Sequence, residues 1–312
     1  MATEAQIRAA FQKGVRDTLS GASYVALRDA IARNDYQAAL AAVDIEDAAF
    51  DDMRRLIVQT YAEGGVDAIS GVRWPVNTRW NSATPEAEYF ARNTVGQNIT
   101  WITNDMRESV RWTMGDGIAL GRSSNRIALD IVGRIGPSGQ REGGIVGLNR
   151  LQAEWVRNYR EKLLAGEIPS NTLLTAAERR LIDKGNLTTA QIDRLTHSYS
   201  NRLLLSRGKT IAKTERGLAV NMGRMEGYRQ GAEKGGIPLA AMRKEWVHRG
   251  VHKHERLAHV RLGGDPAISF TQPFDVNGYS AQMPHDPSLP AGEVINCNCE
   301  VKVSIPRGWR NG

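Results

Sequence analysis

The chain has only two cysteines among its 312 residues. That excludes a disulfide framework, which small cross-linked scaffolds build from several bridges. It lacks any run close to the ~20 apolar residues that a membrane-spanning helix needs, so no membrane partner is expected. It also lacks a block of consecutive Lys or Arg. The 41 basic and 34 acidic residues give a net charge of +7. Because that charge is spread along the whole chain, it reads as solvated surface rather than as a nucleic-acid arm. The glycines between positions 133 and 147 do not follow a strand-loop-helix order, so no nucleotide-phosphate cradle is expected. The opening segment MATEAQIRAAFQKGVRD carries acids and no continuous apolar run, unlike a secretory leader. Folding in a cytoplasm is the expectation.

What the chain does have is helical periodicity over its first three quarters. Thr3 and Gln6 have capping-box spacing, and Ile7, Phe11 and Val15 then fall on one face. Tyr24, Leu27 and Ile31 repeat that period. Asn34 and Asp35 offer a cap for YQAALAAV, and a run through Phe50, Met53, Ile57 and Tyr61 reaches Gly64-Gly65. GVRWPVNTRWNSAT (71–84) reads as an ordered loop, and Pro85 after Thr84 fits a first helical turn. Helical spacing continues through Ile99, Ile102, Met106 and Val110, with a short helix over 123–134. Residues 136–147 are a loop or hinge. Three helices follow: RLQAEWVRNYREKLLAG, LTTAQIDRLTHSYSNRLLL, and one from near 208 to about 234.

After residue 240 glycine, proline and histidine become dense, and KEWVHRG and EVINCNCEVKVSI read as strands. The fold class expected is therefore α+β: a large helical N-terminal body followed by a small C-terminal domain closed by a Cys-x-Cys strand. The segments are 1–147, 148–238 and 239–312.

Several pieces of the tail occur in a recognisable order. RGKTIAKTERGLAVNMGRMEGY (207–228) is followed by the Trp strand KEWVHRG and by HKHERLAH with His259. LGGDPAISF and MPHDPSLPAGEVINCNC come next. This order resembles the minor head, or head morphogenesis, proteins of tailed phages of the Mu F-like kind. The likeness is tight over about 200–303 and looser over the helices before. Asn298 stands where the family usually has arginine, and Glu255-Arg256 are adjacent where the family separates its acid and arginine. The resemblance implies a structural virion protein that joins the head near the portal. Its implied partners are the portal protein, the major capsid protein and packaged double-stranded DNA. Its implied location is the virion head, with the host cytoplasm during assembly, and the virion would set its oligomeric state.

Two other functions are open. Such domains are grouped by fold with ADP-ribosyltransferases, which would make the chain an NAD-using enzyme. That chemistry needs a Ser-Thr-Ser-like strand and a late glutamate, and Glu300 is the one late acid near the pair. A fold grouping does not carry function, so no catalytic turnover is expected. The third function is a DNA-associated protein ejected with the genome.

Cys297 and Cys299 lie on one face if their segment is a strand. A disulfide between them would be strained. His248, His252, His254, His259 and His285 are five of the six histidines. Cys297, Cys299 and His259, with either His285 or Asp286, would make a zinc set. The other reading is a reduced pair packed as small hydrophobes, with the Asp-Pro turn held by hydrogen bonds alone. Either way the pair pins the end of the chain. Lys209, Lys213, Arg216 and Arg224 could face phosphates or form local ion pairs. Thr214-Glu215 reads as a helix-surface or interface pair. Trp74, Trp80, Trp101 and Trp112 are stacking platforms or packed core.

Overall fold

The computed structural model describes residues 1–136, 139–169, 174–250, 255–306 and 308. The N-terminal region is helical, and the caps expected at Thr3, Asp35 and Thr84 form. In α1 (Glu4–Gly21) Thr3 Oγ1 accepts from the Gln6 N–H at 3.2 Å, while Gln6 Oε1 accepts from the Thr3 N–H at 2.8 Å. Ser23 caps α2 (Tyr24–Ala32) and Asp35 caps α3 (Tyr36–Val43). Asn34 between them takes the left-handed φ of 55° that turns one helix into the next. Then come α4 (Asp51–Ser70), α5 (Pro85–Tyr89, capped by Thr84), α6 (Val95–Ala119) and α7 (Ser124–Val132). A two-residue ladder pairs β1 (Arg134–Ile135) with β2 (Arg141–Glu142). Next are α8 (Arg150–Leu164), opened by a capping box of Asn149 and Gln152, α9 (Ala176–Asp183), and α10 (Thr189–Lys234).

Two helix boundaries differ from the sequence reading. The helix expected to stop at Gly64-Gly65 runs on to Ser70, and the two helices expected on either side of residue 208 are one, α10. A glycine inside a helix costs only about 1 kcal/mol, and Gly64 and Gly65 have a packing role described below.

The chain forms two compact units, each discontinuous in sequence. One comprises Ala10–Asp52 and Asn98–Gly208, the other Met1–Ala9, Met53–Gln97 and Lys209–Gly312. They cut across the linear segments 1–147, 148–238 and 239–312. Among the described residues, the regular structure of the first unit is all helix apart from the short ladder. Phe11 stacks on Phe50 at 5.9 Å and Tyr159 on Tyr199 at 4.5 Å. Asp193 gathers three arginines, Arg126 and Arg134 at 2.8 Å and Arg160 at 3.3 Å. Trp101, weighed as a packed residue, is 58% exposed.

In the second unit α4 meets the later half of α10 through glycines. A Cβ on Gly223 would lie 2.0 Å from the Tyr61 carbonyl oxygen, and one on Gly227 would lie 2.5 Å from that of Gly65. Removing the Cβ lets the two backbones touch. Trp80 packs on Gly65 and Trp74 on Gly231, and the Trp74 indole N–H donates to the Ile69 carbonyl at 2.9 Å.

The C-terminal part adds a three-stranded antiparallel sheet. β3 (Arg243–Val247) lies between β4 (Ile268–Ser269) and β7 (Glu300–Ser304), with Trp246 opposite Val301. Helix α11 (Leu257–Gly264) joins β3 to β4. β5 (Phe274–Val276) and β6 (Tyr279–Ala281) form a hairpin across Asn277-Gly278, both at positive φ (55° and 84°), as a tight primed turn requires. A four-residue helix, α12 (Ala291–Val294), precedes the cysteines. Trp246, Leu262, Phe274, Val276 and Leu289 pack with both cysteines. Met242, Phe270, Val303 and Ile305 pack with Tyr228 and Ala232 of α10 and Ala68 of α4.

Lys244 is fully buried beside Trp246 in this sheet. Its Nζ donates to the Gln282 carbonyl at 2.9 Å and to Gln282 Oε1 at 2.8 Å, over the Phe274 ring. Burial pushes its pKa down from 10.5 to about 8, with Asp286 opposing the shift. The unfolded chain therefore binds more protons between those two values. Stability from this site is flat below pH 8 and rises with pH from 8 to about 10.5. Thermal unfolding of the native chain and of Lys244→Met should show a difference that shifts in favour of the native chain across that window, by about 3 kcal/mol. A second outcome concerns the glycine contact. Helix propensity alone would make Gly223→Ala stabilising. The clash with Tyr61 should instead cost about 3 kcal/mol in urea unfolding.

Candidate metal centre

The second unit brings two thiols and an imidazole together. β3 carries Trp246 and, one residue past its end, His248. α11 carries His259. The cysteines arrive from α12 through Asn296, which holds a left-handed φ of 60°. They lie in the extended segment just before β7, which begins at Glu300. The strand expected over EVINCNCEVKVSI is thus shorter: its first residues are helical, and the left-handed Asn296 breaks regular pairing. Both cysteines are nevertheless buried and unbridged, and their sulfurs reach the same imidazole.

Arg256 fixes this approach. Its Nε donates to the Gly292 carbonyl at 2.6 Å and its Nη2 to that of Ile295 at 2.7 Å, which ties α11 to the end of α12. Thr214 on α10 accepts the Asn296 N–H at 3.3 Å.

His259 Nδ1 lies 3.5 Å from Cys297 Sγ and 3.5 Å from Cys299 Sγ. The ligand atoms of His259, Cys297 and Cys299 all fall within 4.8 Å of one another, the one such group among the described residues. All three residues are buried. Zinc bonds of ~2.3 Å to sulfur and ~2.0 Å to nitrogen, set at tetrahedral angles, place S and N about 3.5 Å apart. The donor set and spacing therefore fit a zinc ion. A cation between the three atoms would serve all of them. On the far side of the ring, His259 Nε2 is 3.0 Å from Glu293 Oε2.

The two sulfurs share their protons unequally. The Cys299 thiol donates toward Cys297, and His259 adds to that effect against burial, so the Cys297 thiol is pushed down. The Cys299 thiol is pushed up by the same bond and by burial. A divalent cation would displace the remaining proton and hold both as thiolates.

The other expected ligands are occupied elsewhere. His285 Nδ1 takes the Asn221 side-chain amide at 3.2 Å, and its Nε2–H donates to the Cys297 carbonyl at 3.1 Å. Burial pushes its pKa down, which keeps it neutral in that role. Asp286 accepts the Gln282 N–H at 2.7 Å and the Ser288 N–H at 2.9 Å, closing the Pro-rich turn. His285 thus supports the cysteine backbone rather than the sulfurs. His252 and His254 lie outside the described residues. Arg224, considered for phosphate binding, is paired with Asp67 at 2.9 Å and Glu300 at 2.8 Å.

Sequence reasoning missed Asn221 and Glu293. Asn221 is fully buried on α10. Its Nδ2 donates to the carbonyls of Gly217 (2.9 Å) and Cys299 (3.2 Å), and its Oδ1 accepts the Val301 N–H at 2.8 Å. Gly217, one turn earlier, makes room: a Cβ there would lie 2.4 Å from the His285 ring. The signal was an asparagine on the apolar stripe of a helix, a place that side chain avoids unless it has partners.

Asn221→Leu keeps the branched shape and removes the bonds. It should leave the Cys299 carbonyl and the Val301 N–H unpaired and lower unfolding stability by about 2–4 kcal/mol in a urea titration. No family model, curated protein or solved structure matches the chain, so the chemistry of the site rests on its own residues.

Proposed function

We propose that this chain is a structural minor head protein of a tailed phage, built into the head near the portal, in contact with the portal or major capsid protein and with packaged double-stranded DNA. One observation carries the reading. The sequence elements whose order resembles that family are the elements that hold one another in the tail. Asn221 of the motif helix bonds the backbone on both sides of Glu300. Arg256 and His259 of the next element bind the α12 turn and the thiols. The Pro-x-Asp-Pro turn supplies His285 to the Cys297 carbonyl. Such mutual support makes the motif a folding unit, and a folding unit suits an assembly part.

Glu300 is the late acid that the enzyme reading would need. Glu300 Oε2 sits 2.8 Å from Arg224 and 3.3 Å from Arg249, a doubly paired carboxylate. Incubation with labelled NAD should give no transfer to the chain or to added protein. Electron microscopy of particles from the phage that encodes the chain should show its density at the portal vertex inside the head. Particles with the chain confined to the tail, or heads assembled without it, would sink the proposal.

A further inference from the structure

We propose that His248 is the fourth ligand of a closed, tetrahedral zinc centre completed by Cys297, Cys299 and His259, with Glu255 and Glu293 orienting the two imidazoles. The argument concerns the site alone and holds whatever particle or process the chain serves.

His248 Nδ1 lies 3.5 Å from Cys299 Sγ, the same edge length that His259 makes with each sulfur. Each ring turns Nδ1 toward sulfur, His259 to both and His248 to Cys299, and has a carboxylate near its opposite nitrogen without hydrogen-bond geometry. His259 Nε2 is 3.0 Å from Glu293, and His248 Nε2 is 3.5 Å from Glu255. A ligand histidine commonly has its remote N–H on a carboxylate, which fixes the tautomer and raises the basicity of the ligating nitrogen. Both imidazoles thus meet Cys299, and His259 meets Cys297 as well.

Access for His248 is built in. A Cβ on Gly263 of α11 would lie 2.6 Å from His248 Cβ, so glycine at 263 lets the strand end approach. Among the described residues the competing donors are spent, His285 on Asn221 and the Cys297 carbonyl, and Asp286 on its own turn. His248 meets Cys299 alone of the two thiols, and ligation requires its ring to turn toward the common centre. It stands beyond the end of β3, with Gly250 at φ 108° two residues on.

Charge supports zinc in this set. Two thiolates cancel a dication, so the buried centre is neutral, and Glu255 and Glu293 lie outside it beside the remote ring nitrogens. A Cys₂His₂ shell has no open position, which is the arrangement of structural rather than catalytic zinc.

The test uses the full chain, stripped of metal under reducing conditions and reloaded with zinc or cobalt(II). About one zinc per chain is expected. His248→Cys would change two sulfur ligands into three, so thiolate-to-cobalt charge-transfer absorbance should rise about 1.5-fold. His248→Ala should weaken zinc binding by more than about 100-fold, and Glu293→Gln by about 10-fold. If His248→Cys does not fold, the cobalt-loaded native chain still decides. A closed shell leaves its spectrum unchanged on adding thiocyanate, and a shift would reveal an open fourth position. Failure of the native chain to bind zinc, an unchanged charge-transfer band in folded His248→Cys, or a thiocyanate shift would each overturn the proposal.

Discussion

Asn221 places one amide in the interior of the second unit, and the whole tail is arranged around it. A buried amide must find partners, because leaving its groups unpaired costs about as much as several good contacts gain. Here the partners are the Cys299 carbonyl, the Val301 N–H and the His285 ring. Those bonds fix the backbone on either side of Glu300, and with it the start of β7. His285 then fixes the Cys297 carbonyl. The positions of both sulfurs thus follow from a helix residue about eighty positions away in sequence.

This hierarchy separates two jobs that the sequence presents as one cluster of histidines. His285 works on the backbone, so its neutral form and its two hydrogen bonds are what the fold uses. His259 works on the sulfurs, with one nitrogen toward them and the other toward Glu293. The division explains why Gly217 is needed beneath His285 and Gly263 beside His248. Gly217 admits the His285 ring, and Gly263 admits the His248 Cβ, at distances that no added Cβ allows. The same device, backbone contact where a side chain would stand, joins α4 to α10 at Gly223 and Gly227.

Much of the helical body was legible because helices are written locally. Caps at Thr3, Asp35 and Thr84 and a 3.6-residue apolar period need no distant information. Helix ends at glycine were less legible. Gly64 and Gly208 break the local pattern, but a mid-helix glycine is cheap when it allows closer packing or the helix simply continues. The strand containing the cysteines was misjudged for a related reason. Alternation in EVINCNCEVKVSI suits a strand, but Pro290, a four-residue helix and the left-handed Asn296 decide the path before Glu300.

The sequence by itself determined that a helical body precedes a small β-containing tail, and that two cysteines and His259 are the candidates for one site. Composition, period and turn residues carry that information along the chain. The tertiary structure alone decided which donors meet. His259 reaches both sulfurs because Arg256 ties α11 to α12, and His248 reaches Cys299 because β3 pairs with β7 up to Val247 and Glu300. His285 and Asp286, as near in sequence, are held away by hydrogen bonds to backbone and turn. Side-chain direction around a buried site is set by partners far apart in the chain, and no local pattern encodes it.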